Sequence, residues 1–105
     1  MQHSEKWTPD KARRRAQKAH GALVAGETIW FVGPCNNLRP VTDMLVITSA
    51  RVLGLSGPTV SFEARHGTIR NVLPDALKQS VTVATDTASM TFKLVPREDH
   101  DRIGQ

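Results

Sequence analysis

Cysteine and aromatic residues are scarce in this chain of 105 residues. Cys35 is the only cysteine, so no disulfide can form within the chain, and the sequence suits a reducing compartment. There is no tyrosine, and the aromatic side chains are limited to two tryptophans and three phenylalanines. The hydrophobic core must therefore consist mainly of branched aliphatic side chains, which favour strands.

Long apolar segments are also lacking. No run of apolar residues approaches the roughly 18 that a membrane span requires. The basic N-terminal residues are not followed by the apolar region of a secretory signal. We therefore expect a cytoplasmic protein, and the basic residues leave peripheral attachment to a membrane open as an alternative.

Motifs for catalysis, cofactors and metals are missing as well. The histidines show no metal-binding spacing, and we expect them at the surface. Cys35 has no identifiable base near it in sequence and is expected to be a half-buried thiol in a loop. Glu98, Asp99 and Asp101 are expected to form a solvated tail. The sequence therefore predicts no enzyme activity, no cofactor and no metal site. The four histidines are His3, His20, His66 and His100.

Positive charge is concentrated near the N-terminus. The formal net charge is +4, and residues 1–20 carry six cations against two carboxylates, whereas the remaining charges cancel. We therefore interpret residues 1–22 as a basic helical arm and residues 23–105 as a β domain. The candidate basic binding patch consists of Lys6, Lys11, Arg13, Arg14, Arg15 and Lys18.

A helix is predicted within this arm. Thr8 is a favourable N-cap, the proline after it suits the first helical position, and Gly21 can end the helix. Trp7 precedes the cap and is expected to pack back as a hydrophobic staple. One narrow face carries small apolar side chains, so we expect the helix to dock loosely. These side chains are Ala12, Ala16 and Ala19.

The cations of this helix allow two interpretations. They could meet the phosphates of nucleic acid or of an anionic lipid surface. They could equally form a solvated helix face that keeps the protein soluble. No aromatic residue is interleaved with them for base stacking, and the sequence leaves both interpretations open.

After Gly26 the pattern changes to short apolar segments separated by turn residues. Residues 33–37 have turn composition, and the polar segment 97–105 predicts a short helix. Regular short strands with tight turns are typical of a barrel or sandwich, and no intervening helix is long enough for a parallel sheet. Residues 44–48 are continuously apolar, which indicates a strand covered on both faces. The seven predicted strands are 28–32, 44–48, 51–55, 60–65, 68–73, 80–85 and 89–94.

Three parts of residues 23–95 resemble bacterial pleckstrin-homology-like (PH-like) domains, a group that is itself similar to GRAM domains. Leu23-x-x-Gly26-Glu27 leads into the first strand, and the segment 44–55 resembles the family's hairpin with its Thr48 and Arg51 at the turn. Ile69-x-x-Val72 resembles the strand that follows in those families. The resemblance implies a seven-stranded antiparallel barrel, here with a basic N-terminal helix and a short C-terminal helical segment.

The resemblance also implies a function in binding. PH-like barrels commonly bind proteins or peptides, so we expect a protein partner or self-association. Attachment to anionic lipid or nucleic acid through residues 6–18 is the alternative. A specific phosphoinositide site is not expected, because the loop 33–43 offers only Arg39 as a cation, opposed by Asp43. The family's C-terminal capping helix has no clear counterpart in the short, polar segment after Pro96.

Overall fold

The computed structural model describes residues 2–38, 40–57 and 59–103, so Arg39 lies outside the described residues. None of the helices among the described residues is long and apolar enough to cross a membrane. Single turns of 3-10 helix follow α1 and β5 and precede α2. The elements are β1 (Gln2–His3), α1 (Pro9–Ala19), β2 (Ile29–Leu38), β3 (Val41–Thr48), β4 (Arg51–Ser56), β5 (Thr59–Arg65), β6 (Ile69–Asp75), β7 (Ser80–Thr85), β8 (Ser89–Phe92) and α2 (His100–Ile103).

The strands lie in two sheets, and the mainly β class is confirmed. One sheet has the order β1-β2-β3-β4-β5, and the other has the order β6-β7-β8. Neighbouring strands are antiparallel except β1, which runs parallel to β2. The predicted count of seven strands is not confirmed, because Gln2–His3 adds a strand within the predicted arm. No strand pairing among the described residues closes the two sheets into a barrel.

The hairpin of β3 and β4 is buried on both faces, as its continuous apolar sequence predicts. Ile47 pairs with Val52 and Met44 pairs with Leu55 across the hairpin. One face of the hairpin contributes to an inner core between the sheets, and the opposite face contributes to an outer core beneath α1. The inner core contains Phe31, Cys35, Leu45, Ile47, Val52, Ala64, Val81, Val83, Met90, Phe92, Val95 and Ile103. The outer core contains Trp7, Ala12, Ala16, Ala19, Ile29, Val32, Met44, Val46, Leu53 and Leu55.

Helix α1 is fixed by its cap and by its alanine face. The Thr8 hydroxyl accepts a hydrogen bond from the Lys11 N–H at 3.2 Å. The alanines that we expected to dock loosely are buried against the sheet, since a small side chain lets the helix backbone come close. Trp7 lies in the same cluster as Ala12, which is the arrangement of a hydrophobic staple. The arm therefore covers the outer face of the sheet, while the boundary at residue 22 stays a prediction.

Residues 33–37, predicted as a turn, belong to β2. The strand continues to Leu38 with register shifts between Ile29 and Phe31 and between Pro34 and Asn37. A bulge interrupts the ladder there, and proline is tolerated at such positions because it has no N–H to donate. Cys35 consequently lies in a strand and is buried in the inner core, so the prediction of a half-buried loop thiol is wrong.

The sequence predicts a strand to residue 94 and a solvated tail that contains Glu98, Asp99 and Asp101. The first prediction is wrong, and the second fails at Asp99 but holds at Glu98, which is exposed. The side chain of Asp101 lies outside the described part of the chain. β8 ends at Phe92. Beyond it, Ile103 inserts into the inner core, and the carboxylate of Asp99 and the ring of His100 are buried. The expectation that every histidine lies at the surface therefore fails at His100. One oxygen of Asp99 has no hydrogen-bond partner within the described part of the chain.

Candidate functional site

Two asparagines at the end of β2 join the first sheet to the second. The Asn36 N–H donates to the carbonyl oxygen of Lys93 at 2.7 Å. The Asn37 side chain donates from Nδ2 to the carbonyl oxygen of Thr91 at 2.6 Å and accepts at Oδ1 from the Lys93 N–H at 2.9 Å. These are the bonds that a neighbouring strand would make, so Asn37 attaches the end of β8 to β2.

An open groove of about 1130 Å³ lies at this junction. This volume lies slightly above the range of roughly 300–1,000 Å³ that is usual for small-molecule sites. Its walls come from the end of β2 and the β2–β3 connection, from the β6–β7 turn and the start of β7, and from β8 and the two residues that follow it. We call it the β2–β8 groove. It is lined by Asn36, Asn37, Leu38, Pro40, Lys78, Ser80, Ser89, Met90, Thr91, Lys93 and Leu94.

Leu94, at the edge of this groove, combines an unfavourable backbone conformation with an exposed apolar side chain. Its backbone is left-handed, with φ at 55°, a conformation that costs energy for a residue with a Cβ. Its side chain is also 55% exposed, and that of Leu38 in the same groove is 81% exposed. The free protein therefore keeps a strained backbone and two solvated leucines in one place, and strain of this kind concentrates at functional sites.

The β6–β7 turn positions Lys78 at the groove. Asp75 Oδ1 accepts hydrogen bonds from the N–H groups of Leu77 and Lys78, at 3.1 and 3.2 Å. Gln79 then adopts a left-handed backbone with φ at 50°, and its carbonyl oxygen accepts from the Val95 N–H at 2.7 Å. The turn and the segment after β8 are thus tied together.

The charge of the groove is positive. Lys78 and Lys93 both line it, and no carboxylate does so among the described residues. Neither lysine forms an ion pair within the described part of the chain. Sequence analysis did not identify these lysines, because the fold brings them together from different segments.

A second polar cluster lies at the β3–β4 turn and is buried. The Arg51 guanidinium donates to both carboxylate oxygens of Glu27 at 2.9 Å and to the carbonyl oxygen of Ala22 at 2.7 Å. The hydroxyl of Thr48 also donates to Glu27, at 2.5 Å. These hydrogen bonds lower the pKa of Glu27 from 4.5 to about 2, and the hydrogen bond from Arg51 makes the largest contribution. The cluster is enclosed by its own partners, so we assign it to the stability of the fold.

Three of the six side chains in the predicted basic patch contact other groups of the protein. Lys11 and Arg15 lie about 6 Å from the ring of Trp7, at 6.0 and 5.9 Å from its centroid. Arg13 forms an exposed ion pair with Asp10 at 3.3 Å. The remaining members of the patch are exposed, and none of the six lines the β2–β8 groove. These remaining members are Lys6, Arg14 and Lys18.

The side chains that could carry catalysis are dispersed. Burial, and next the charge of Asp43, raise the pKa of the Cys35 thiol to about 12, which leaves it protonated and poorly nucleophilic. His66 is bound to the carbonyl oxygen of Thr48 at 2.7 Å and stacks on Trp30. Within the described ranges, no three metal-binding side chains come together.

Comparisons with known proteins give no further assignment. No protein-family model, no curated protein and no solved structure matches this chain. The geometry of the β2–β8 groove is therefore the basis for assigning a function.

Proposed function

We propose that this chain is a non-enzymatic binding module of the PH-like group that engages another protein through the β2–β8 groove. The observation that carries the proposal is that Leu94 is both strained and exposed in a groove that also holds Leu38 and two lysines without an ion-pair partner among the described residues. A binding partner that covers these leucines removes apolar surface from water and uses a conformation that is already in place.

Two features support the PH-like part of this proposal. Consecutive antiparallel strands form one meander of four, β2–β5, and one of three, β6–β8, around a shared inner core. The residues that carry the resemblance also meet in space, since Glu27, Thr48 and Arg51 form one hydrogen-bonded cluster. The closed barrel and the family assignment remain proposals.

Affinity capture with matched variants tests the proposed function. Leu94→Asn removes the apolar side chain and replaces it with a residue that tolerates the left-handed backbone. Leu73→Asn is the control, because Leu73 is equally exposed, at 55%, but does not line the groove. We expect a protein that is retained at high salt by the wild type and by Leu73→Asn and is lost from Leu94→Asn. Equal capture by all three baits would contradict the proposal.

Self-association is one form of the same function. In that case the purified wild type forms a dimer in light scattering at high protein concentration, and Leu94→Asn remains a monomer under the same conditions. The Leu73→Asn control should dimerise like the wild type. A dimer that all three proteins form equally would place the contact outside the groove.

Attachment to an anionic surface through α1 is the second candidate, and the docking of α1 favours it. The buried alanine face fixes the helix on the sheet, and this leaves Arg14 and Lys18 exposed one turn apart. We expect wild-type protein to bind phosphatidylserine vesicles or duplex DNA at low salt and to be released at high salt. Binding that is unchanged in Arg14→Glu/Lys18→Glu would exclude this candidate.

A further inference from the structure

We infer that the β2–β8 groove takes an acidic peptide segment that carries at least one large apolar side chain, an inference that rests on the proposed function. Charge complementarity is the first argument. Lys78 and Lys93 contribute two positive charges to the groove, and no described lining residue is acidic. A basic or neutral segment would leave both ammonium groups uncompensated, whereas carboxylates pair with them and speed association.

Apolar surface in the groove is the second argument. Met90 is buried beneath it, while Leu38 and Leu94 remain largely exposed. Highly charged segments without apolar side chains would leave these leucines in water after binding. A leucine or aromatic side chain of the partner would cover them. Burial of this apolar surface contributes binding free energy that charge pairing at an exposed surface does not provide.

Free hydrogen-bonding groups favour a peptide over a lipid. The side chains of Asn36, Ser80 and Ser89 line the groove, and the described residues provide none of them with a hydrogen-bond partner. Peptide N–H and carbonyl groups match an amide and two hydroxyls, whereas acyl chains cannot bond to them. We therefore commit to a peptide segment of a protein, with lipid binding as an outcome of the test.

A random-peptide phage library panned on the purified full-length chain tests this inference. Lys78→Glu/Lys93→Glu reverses the charge of the groove. Arg65→Glu/Arg97→Glu is the matched control, because it makes the same charge change at two exposed positions outside both the groove and the basic patch. We expect the wild type to enrich peptides that combine acidic residues with a leucine or an aromatic residue. Their affinity should fall about tenfold or more in the groove variant and change little in the control.

The outcomes separate this inference from the proposed function. Enriched peptides without acidic residues that nevertheless fail to bind Leu94→Asn would overturn the acidic ligand and leave the binding module intact. Peptides that bind Leu94→Asn as well as the wild type would count against both. Phosphatidylserine vesicles provide the last arm: binding that is lost in Lys78→Glu/Lys93→Glu but not in Arg65→Glu/Arg97→Glu would assign the groove to lipid headgroups and overturn the inference.

Discussion

The ring of Phe92 meets the ring of Phe62 edge-on, with centroids 5.8 Å apart and planes inclined by 83°. This pair fills the inner face of the sheet next to Gly54, in the middle of β4. A Cβ at Gly54 would lie 3.1 Å from the Phe92 ring, and also 3.1 Å from side-chain atoms of Ser61 and Thr42. A side chain at position 54 would therefore be crowded on three sides.

Replacing Gly54 by valine should destabilise the fold. The added side chain must displace Phe92, and we expect the free energy of unfolding to fall by about 1–3 kcal/mol, as for other overpacked cores. Urea denaturation measures the change. Gly21→Ala is the control, because no atom lies within 4 Å of a Cβ at Gly21. A Gly54→Val protein as stable as the control would show that the two rings can move apart without cost.

Arg51→Ala should be more damaging than Arg70→Ala. Each arginine donates two hydrogen bonds to one carboxylate. The pair of Arg51 with Glu27 is buried, whereas the pair of Arg70 with Asp86 is exposed. Loss of Arg51 leaves a buried carboxylate without its partner, which should cost roughly 3 kcal/mol. Loss of Arg70 should cost much less, because an exposed ion pair contributes little to stability in water. Thermal or urea denaturation measures the loss of stability in the two variants. Equal losses of stability would contradict the structural role of the buried pair.

Stability should depend on pH through Glu27. Its pKa is about 2 in the folded protein and near 4.5 otherwise, so the folded state holds this proton less tightly. The contribution of Glu27 is therefore fully present above pH 4.5 and is lost as the pH falls from 4.5 towards 2. The difference in unfolding free energy between wild type and Glu27→Gln should shrink across this interval. A constant difference from pH 7 to pH 2 would refute the assignment.

Asp99→Asn should stabilise the protein. The Asp99 carboxylate is fully buried, and one of its oxygens finds no partner among the residues that the structure describes. The other oxygen accepts a long hydrogen bond of 3.4 Å from the Glu5 N–H. An amide keeps that acceptor and removes the cost of burying a charge, so we expect a gain of about 1 kcal/mol. Glu98→Gln, at an exposed neighbouring position, is the control. A melting temperature that falls in Asp99→Asn would indicate that the carboxylate has a role of its own.

The sequence was most informative where local pattern and tertiary contacts agree. The β3–β4 hairpin could be predicted because residues 44–48 have no polar alternation, and two-sided burial by the inner and outer cores is the physical reason. The partners Glu27 and Arg51 were visible only as parts of a resemblance, since nothing in their spacing of 24 positions indicates that their side chains meet.

Pairing across the sheet overrode local turn preference in β2. Gly33, Pro34 and the two asparagines have turn composition, yet hydrogen bonding to β3 extends the strand through them and moves the irregularity into a bulge. The β2–β8 groove depends on this extension. Its walls come from segments far apart in the chain, so no local pattern could predict it.

The enclosure of β3 has a consequence for the order in which the protein opens. Along residues 44–47, strands β2 and β4 cover both edges of β3, and the inner and outer cores cover both of its faces. The amide protons of these four residues can therefore exchange with deuterated solvent only when the whole molecule unfolds, whereas those of the β6–β7 turn exchange through local fluctuations. The slowest-exchanging amides of β3 consequently report the global free energy of unfolding directly.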